Sequence, residues 1–287
     1  MSATVKQVLV SGGFDDVRSR DIRFLQEAAR FGDLTLLLWS DDVFLRLTGK
    51  APRFPEAERF YLLQGIRYVK QVKQVSSSEF GVESPEFDAG LLSSANRLGL
   101  KPDMWVVREA QDSAEKKAFC QAEGVGYYVL RDEGLRGFPD IPPTPDAGGL
   151  APKKVVVTGC YDWFHSGHVR FFEEVSAFGE LHVAVGNDAN VRQLKGEGHP
   201  LHSQEERRYM VASVRFVKQA MITSGYGWLD AEPEIRRLKP DIYAVNEDGD
   251  RGGKREFCDK LGIQYLVLKR TPAPGLPPRT STELRGF

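Results

Sequence analysis

Residues 155–168 read Val155-Val156-Val157-Thr158-Gly159-Cys160-Tyr161-Asp162-Trp163-Phe164-His165-Ser166-Gly167-His168. The apolar run at the front has the length and composition of a buried strand, and the polar turn behind it leads to a helix expected to start at Val169. A helix start aims free backbone N–H groups and the positive end of its dipole forward, and anions bind there. Gly167 has no Cβ, so a polyphosphate can approach the backbone closely. His165 and His168, either side of the Ser-Gly step, would supply ring N–H donors to charge building up on a phosphoryl group under attack. No general base is needed if the attacking group is already a phosphate. The stretch predicts a strand-turn-helix that handles phosphate.

Working outward, the same turn occurs earlier in altered form. Ser11-Gly12-Gly13-Phe14-Asp15 lines up with Thr158-Gly159-Cys160-Tyr161-Asp162, and Arg23-Phe24 with Arg170-Phe171. Glu58-Arg59 meets Glu206-Arg207, Leu100-Lys101-Pro102-Asp103 meets Leu238-Lys239-Pro240-Asp241, and Phe119-Cys120 meets Phe257-Cys258. Both halves end on Leu-Arg-Gly-Phe, at 135–138 and 284–287. The chain is a duplication, with domains at 1–138 and 153–287 and a Pro-, Gly- and Ala-rich linker at 139–152. Strands are expected at Val8–Val10, Leu34–Trp39, Trp105–Val107 and Tyr127–Leu130, and again at Val155–Thr158, Leu181–Gly186, Ile242–Val245 and Tyr265–Leu268. Helices fall between them, one opened by the capping-box pattern Ser203-x-x-Glu206. That alternation implies an α/β fold, each domain a parallel sheet with helices on both faces, and a ligand crevice at the carboxyl ends of the strands.

Composition narrows the function. In 287 residues, 41% are hydrophobic and 28% charged, as in a soluble globular protein. The net charge of −1 supplies no broad field for nucleic acid. Aliphatic runs are strand-sized, too short to insert in a membrane, and the N-terminus has no signal-peptide layout. Cys120, Cys160 and Cys258 are widely spaced and odd in number, which argues against a disulfide framework or zinc site and fits a cytoplasmic location. Cys160 reads as a small buried filler.

The segment Gly159-Cys160-Tyr161-Asp162-Trp163-Phe164-His165-Ser166-Gly167-His168 resembles the HxGH signature of the nucleotidylyltransferase superfamily, and its Gly-Cys-Tyr-Asp opening is most similar to the cytidylyltransferase branch. The resemblance implies two tandem Rossmann-like domains. At the positions of His165, Gly167 and His168 the first half has Arg18, Arg20 and Asp21, and Thr48 stands for Lys195, so that copy reads as degenerate. The tandem layout is similar to that of ethanolamine-phosphate cytidylyltransferase with the intact copy second, and implies an internal pseudo-dimer; further homo-oligomer formation stays open.

The resemblance also implies residue roles. His165, His168, Lys195 and Arg207 would be catalytic, with Lys195 in a flexible loop that closes over the triphosphate and Arg207 facing the phosphates. Gly159, Cys160, Tyr161, Asp162, Gly167 and Asp188 would bind nucleotide, Asp162 by organising the loop near the metal. Arg279-Thr280-Ser281-Thr282 is similar to a shortened cytidylyltransferase RTxGISTT motif at the start of a last helix. Trp228, and Asp248, Lys254 and Arg255 in a charged loop, are acceptor-side candidates. His182 and His199 read as structural. The cofactor implied is Mg2+, with its protein ligands unassigned. The expected reaction moves CMP from CTP to a small phosphomonoester. The runner-up uses ATP, because Asn187-Asp188-Ala189…Leu194-Lys195-Gly196-Glu197 resembles adenylyltransferases that make ADP-heptose. A third reading is a nucleotide sensor without turnover.

Overall fold

The uninterrupted apolar runs belong to strands covered on both faces, as parallel sheets require. The computed structural model describes residues 5–77, 95, 98–145, 152–281 and 284. Two compact units appear, Met1–Gly137 and Phe138–Phe287. The first contains β1 (Gln7–Gly12), α1 (Ser19–Ala28), β2 (Asp33–Trp39), α2 (Asp41–Thr48), α3 (Glu56–Gln64), β3 (Gln71–Val75), β4 (Met104–Arg108), α4 (Ala114–Ala122) and β5 (Gly126–Leu130). The second contains β6 (Lys154–Gly159), α5 (Ser166–Ser176), β7 (Glu180–Val185), α6 (Asp188–Lys195), α7 (Gln204–Ala212), β8 (Val217–Ile222), α8 (Glu232–Leu238), β9 (Ile242–Asn246), α9 (Lys254–Leu261) and β10 (Gln264–Leu268).

The sheets have one topology: β3-β2-β1-β4-β5 in the first unit and β10-β9-β6-β7-β8 in the second. All the strand pairs are parallel. In each, the strand order reverses beside the first strand, between β1 and β4 and between β6 and β9. A crevice opens at such a switch point, outside the carboxyl ends of the strands. The turn with both histidines leaves β6 at that end.

Packing follows the runs. Leu9, Leu37, Val75, Trp105 and Val107 form one core layer of the first unit. Val156, Ala184, Ile235, Tyr243, Val245 and Phe257 form the matching layer of the second. Each such side chain contributes about 1.5–3 kcal/mol on burial, so the core fixes the strand ends that carry the site.

The structure corrects several expected boundaries. Helix α5 starts at Ser166, with His165 as its N-cap, three residues before the expected start at Val169. Lys195 closes α6 rather than sitting in a loop. Of the stretch expected as a linker, Asp140 accepts from Arg208 at 2.6 Å and the Thr144 N–H donates to the Lys218 carbonyl at 3.2 Å, so this part lies along the second unit. Cys160 is half-buried, whereas Cys120 and Cys258 are buried. Among the described residues no helix is long and apolar enough to cross a membrane.

Candidate active site

Helix α5 begins where β6 ends, and its first turn shapes both imidazoles. The Gly167 N–H donates to His165 Nδ1 at 3.1 Å, and the His165 N–H donates to His168 Nδ1 at 3.3 Å. A ring nitrogen that accepts carries no proton, so each neutral imidazole keeps its proton on Nε2. The rings stack at 3.9 Å between centroids, 28° apart. His165 is 2% exposed, and its Nε2 is buried without a hydrogen-bond partner. A buried N–H of this kind is costly unless something accepts from it, which marks it as a site for a ligand oxygen.

Electrostatics keep both rings neutral. Burial, then the charges of Arg270 and Arg279, hold His165 down at about 3. Burial, His165, Arg270 and Lys195 hold His168 well below the ordinary imidazole range. Three cations therefore face a pair of neutral N–H donors at a helix start, an arrangement suited to a polyanion.

The flanking residues form a scaffold. Tyr161 takes a left-handed backbone, φ 56°, and its buried ring meets His168 edge-on at 5.2 Å. Phe164 also stacks on His168, at 5.4 Å. Gly167 is required by its own cap: a Cβ there would lie 2.9 Å from His165 Cε1 and 3.6 Å from the Arg279 carbonyl. The glycine thus makes room for the histidine ring and the C-terminal segment as well as for a ligand.

Four of the residues expected at the phosphates or the acceptor make contacts within the protein. Arg207, 1% exposed, donates from Nε to His202 O at 3.0 Å, from Nη1 to Cys160 O at 2.6 Å, and from Nη2 to Gly186 O and Asp188 Oδ1 at 2.7 Å each. Asp162 accepts from the Leu201 and His202 N–H groups at 2.9–3.0 Å. Asp188 is held by that arginine, and Lys254 is buried, its Nζ donating to Gly249 O at 3.0 Å. The first unit, which has neither histidine, repeats all four. Arg59 holds Phe54 O, Trp39 O and Asp41; Asp15 accepts from the Arg53 and Phe54 N–H groups; Lys116 Nζ donates to Gln111 O. Contacts shared with the degenerate copy belong to the fold. Asp162 thus ties the loop at 201–202 to the signature turn. Among the described residues no cluster of His, Cys, Asp and Glu can hold a metal ion.

Other expected residues fall around the crevice. Gly159 ends β6, and Cys160 contributes the carbonyl that Arg207 grips. Lys195 is exposed at the end of α6. Arg279 lines a cleft with Ser166, Gly167, Asn246 and Arg270. The Ser281 hydroxyl donates to Trp163 O at 3.3 Å, and the Thr280 carbonyl accepts from Leu284 N. Thr282 lies outside the described residues. Trp228 is half-exposed in the turn after β8. Arg255 lies over the Tyr265 ring at 4.8 Å, and Asp248 pairs with Arg270.

Arg270 and Asn246 were missed by sequence reasoning. Arg270 follows β10 by two residues, donates from Nη2 to Arg279 O at 2.8 Å, and acts on both histidines. Its position just beyond a strand's carboxyl end was the available signal; the Arg-Thr-Ser-Thr run at 279–282 drew attention away from it.

In the first unit the equivalent positions form internal ion pairs. Arg18 meets Asp16 at 2.7 Å, Asp21 meets Arg108 at 2.7 Å, and Arg20 pairs with Asp132. Asp132 stands where Arg270 stands in the second unit: each follows the last strand by two residues and donates its N–H to a glutamate, Glu109 or Glu247. Arg20 and Asp132 thus replace Gly167 and Arg270.

Comparison with known proteins agrees with this geometry. The family described as Cytidylyltransferase-like matches residues 156–285. The chain is 40% identical over 121 residues to the Bifunctional protein HldE of Aliarcobacter butzleri (strain RM4018), covering 40% of this chain and 24% of that protein. It is 36% identical over 120 residues to the FAD synthase of Ferroglobus placidus (strain DSM 10642 / AEDII12DO), covering 41% of this chain and 75% of that protein. A third relative, the Bifunctional protein HldE of Desulfatibacillum aliphaticivorans, is 30% identical over 161 residues, or 55% of this chain and 32% of that protein. The chain spans about a quarter of the length of the first HldE relatives it matches. With the signature turn, the doubled parallel sheet and a relative matched over three quarters of its length, the chain belongs to the cytidylyltransferase-like family of the HxGH nucleotidylyltransferase superfamily.

Proposed function

We propose that the second unit transfers a nucleotidyl group from a nucleoside triphosphate to a small phosphomonoester. An oxygen of the acceptor phosphate attacks the α-phosphorus in line. The new P–O bond forms as the bond to the bridging α–β oxygen breaks, and pyrophosphate leaves with that electron pair. The acceptor oxygen is already ionised, so no base takes a proton. His165 and His168 donate Nε2–H to oxygens that gain charge in the transition state, while Lys195, Arg270 and Arg279 offset the triphosphate charge. Mg2+, if it arrives with the triphosphate, would offset charge on the phosphate oxygens.

The observation that carries this reading is the pair of stacked, neutral imidazoles with protons fixed on Nε2. Histidines serving as general bases would present an unprotonated nitrogen instead. The nucleotide has two candidates. CTP rests on Gly159-Cys160-Tyr161-Asp162 and the Arg279-Thr280-Ser281-Thr282 segment. ATP rests on the 187–197 stretch and is favoured by the relative named FAD synthase, whose product contains an adenylyl group. Pyrophosphate release, followed with CTP and ATP in parallel over a panel of phosphomonoesters, tests both. H168A should lower turnover about 100-fold or more, as loss of an oxyanion donor does. Near-normal turnover in H168A would refute the assignment, and nucleotide binding without product over the whole panel would leave the sensor reading in its place.

A further inference from the structure

Just past the carboxyl ends of β7 and β8 lies a buried polar chain for which the first unit has apolar residues. Buried Asp230 accepts from the Thr223 hydroxyl at 2.8 Å, and Thr223, buried too, accepts in turn from the Asn187 N–H at 3.0 Å. Asn187 is the N-cap of α6. Its Oδ1 takes the Asn190 N–H at 2.8 Å, while its Nδ2 donates to Thr223 O at 3.2 Å and Gly225 O at 2.9 Å. Asn190, also buried, accepts from the Gly227 N–H at 2.7 Å and donates to Gly227 O at 3.1 Å. The first turn of α6 is thereby tied to the segment that follows β8.

The other copy separates this chain from the needs of folding. In α2, buried Val43 stands for Asn190, and at the end of β3, buried Val75 stands for Thr223. In sequence, Leu92 stands for Asp230, counting back from the shared Leu-Lys-Pro-Asp. Both helices have an arginine on their first residue, Arg59 on Asp41 and Arg207 on Asp188. The fold therefore forms with valines at the asparagine and threonine positions. The same copy has Thr48 where α6 ends in Lys195, so the polar chain and the lysine are lost together.

We propose that Asp230 is a positioning residue which, through Thr223 and the two asparagines, fixes α6 so that Lys195 reaches the triphosphate. This rests on the nucleotidyl-transfer reading above. Helix α6 has eight residues, so its ends stand about 12 Å apart, and a pivot of about 5° in its first turn shifts its last residue by about 1 Å. A misplacement of that size beside reacting groups lowers rates by about 100-fold. The pair with Arg207 holds one point of the first turn. The links to Thr223, Gly225 and Gly227 hold others and stop the pivot. Lys195 is among the charges that keep His168 neutral, which places the end of α6 near the imidazole pair.

The test uses the full chain carrying T223V/D230L, which installs the first unit's own residues and removes the carboxylate together with its donor, so no buried carboxylate is left without its bond. Its thermal midpoint should stay near that of the wild type. Steady-state pyrophosphate release, with ATP and CTP over sugar phosphates and glycerol 3-phosphate, should show kcat/KM for the nucleotide lowered about tenfold or more, with the acceptor KM unchanged. K195A alone should lower the same quantity, and adding it to T223V/D230L should lower it little further. T223V should be impaired, and T223S, which keeps the hydroxyl, should regain most of the loss. If T223V/D230L melts far below the wild type, N190V, also taken from the first unit, carries the same comparison. Wild-type nucleotide kcat/KM in the folded variant, full additivity with K195A, or T223S as impaired as T223V would overturn the anchor. Calorimetric titration with a non-hydrolysable triphosphate separates this from the transfer reading. Affinity lost alike in T223V/D230L and K195A, with no turnover of any acceptor by the wild type, would sink the transfer reading and leave the anchor standing.

Discussion

At the scale of single residues, the account turns on where protons sit. Each imidazole has its Nδ1 occupied by a backbone N–H, so its useful donor is Nε2. Both rings are neutral when folded, yet each would take up a proton near pH 6.5 in the unfolded chain. As pH falls below that value the unfolded state binds more protons, and stability declines by up to about 1.4 kcal/mol per pH unit for each ring. For His165 the decline continues toward its folded value of about 3. Urea unfolding at pH 7, 6 and 5 should therefore show a falling midpoint that flattens in the H165Q/H168Q variant. The pH profile of kcat/KM, which reports the free enzyme, should show no histidine inflection near 6.5. Arg207 makes the opposite case. R207A should cost on the order of 3 kcal/mol, because it breaks a buried, fully bonded charge, and R59A should do the same in the first unit. Normal stability in R207A with nucleotide affinity alone lost would restore the phosphate-facing role. The sequence shows that an arginine stands there; only the structure shows its guanidinium turned inward onto four oxygens.

At the scale of elements, the first turn of α5 decides the site. G167A should leave the helix intact but push the His165 ring off its cap, since the new methyl would lie 2.9 Å from Cε1. Unchanged far-ultraviolet dichroism with nucleotide affinity reduced tenfold or more is expected; wild-type affinity would show that the ring position does not matter. The central strands were legible because burial on both faces writes long apolar runs. The edge strands were less so: β3 is Gln-Val-Lys-Gln-Val, and β8 is mostly half-buried. The start of α5 was missed because Ser166, Gly167 and His168 are poor helix formers, and the cap that stabilises the turn is made by imidazoles, outside the usual capping residues. The end of α6 was missed for the reverse reason, since Gly196 and Gly198 advertised a loop that begins only after Lys195.

At the scale of the whole molecule, the duplication was legible in full, because two copies of one topology keep the same landmarks in register. Arg59 and Arg207, Asp15 and Asp162, and Lys116 and Lys254 make equivalent contacts, and this separates fold from function without reference to any ligand. Apart from the anchor of α6, what remains particular to the second unit is small: the two histidines, Gly167, Lys195, Arg270 and Arg279. At the equivalent end of its sheet the first unit has Arg18, Arg20, Asp21, Arg108 and Asp132, each paired within the unit. Calorimetric titration of the full chain with ATP or CTP should accordingly find one nucleotide site per chain, lost in H165A/H168A. Two sites would show that the internal ion pairs do not close the first crevice.

A crystal structure of the full chain with a non-hydrolysable triphosphate bears most directly on the account. We expect phosphate oxygens within hydrogen-bond distance of Nε2 on both His165 and His168, with Arg270 released from Asp248 toward the ligand. A triphosphate bound elsewhere, with neither Nε2 in contact with it, would contradict it.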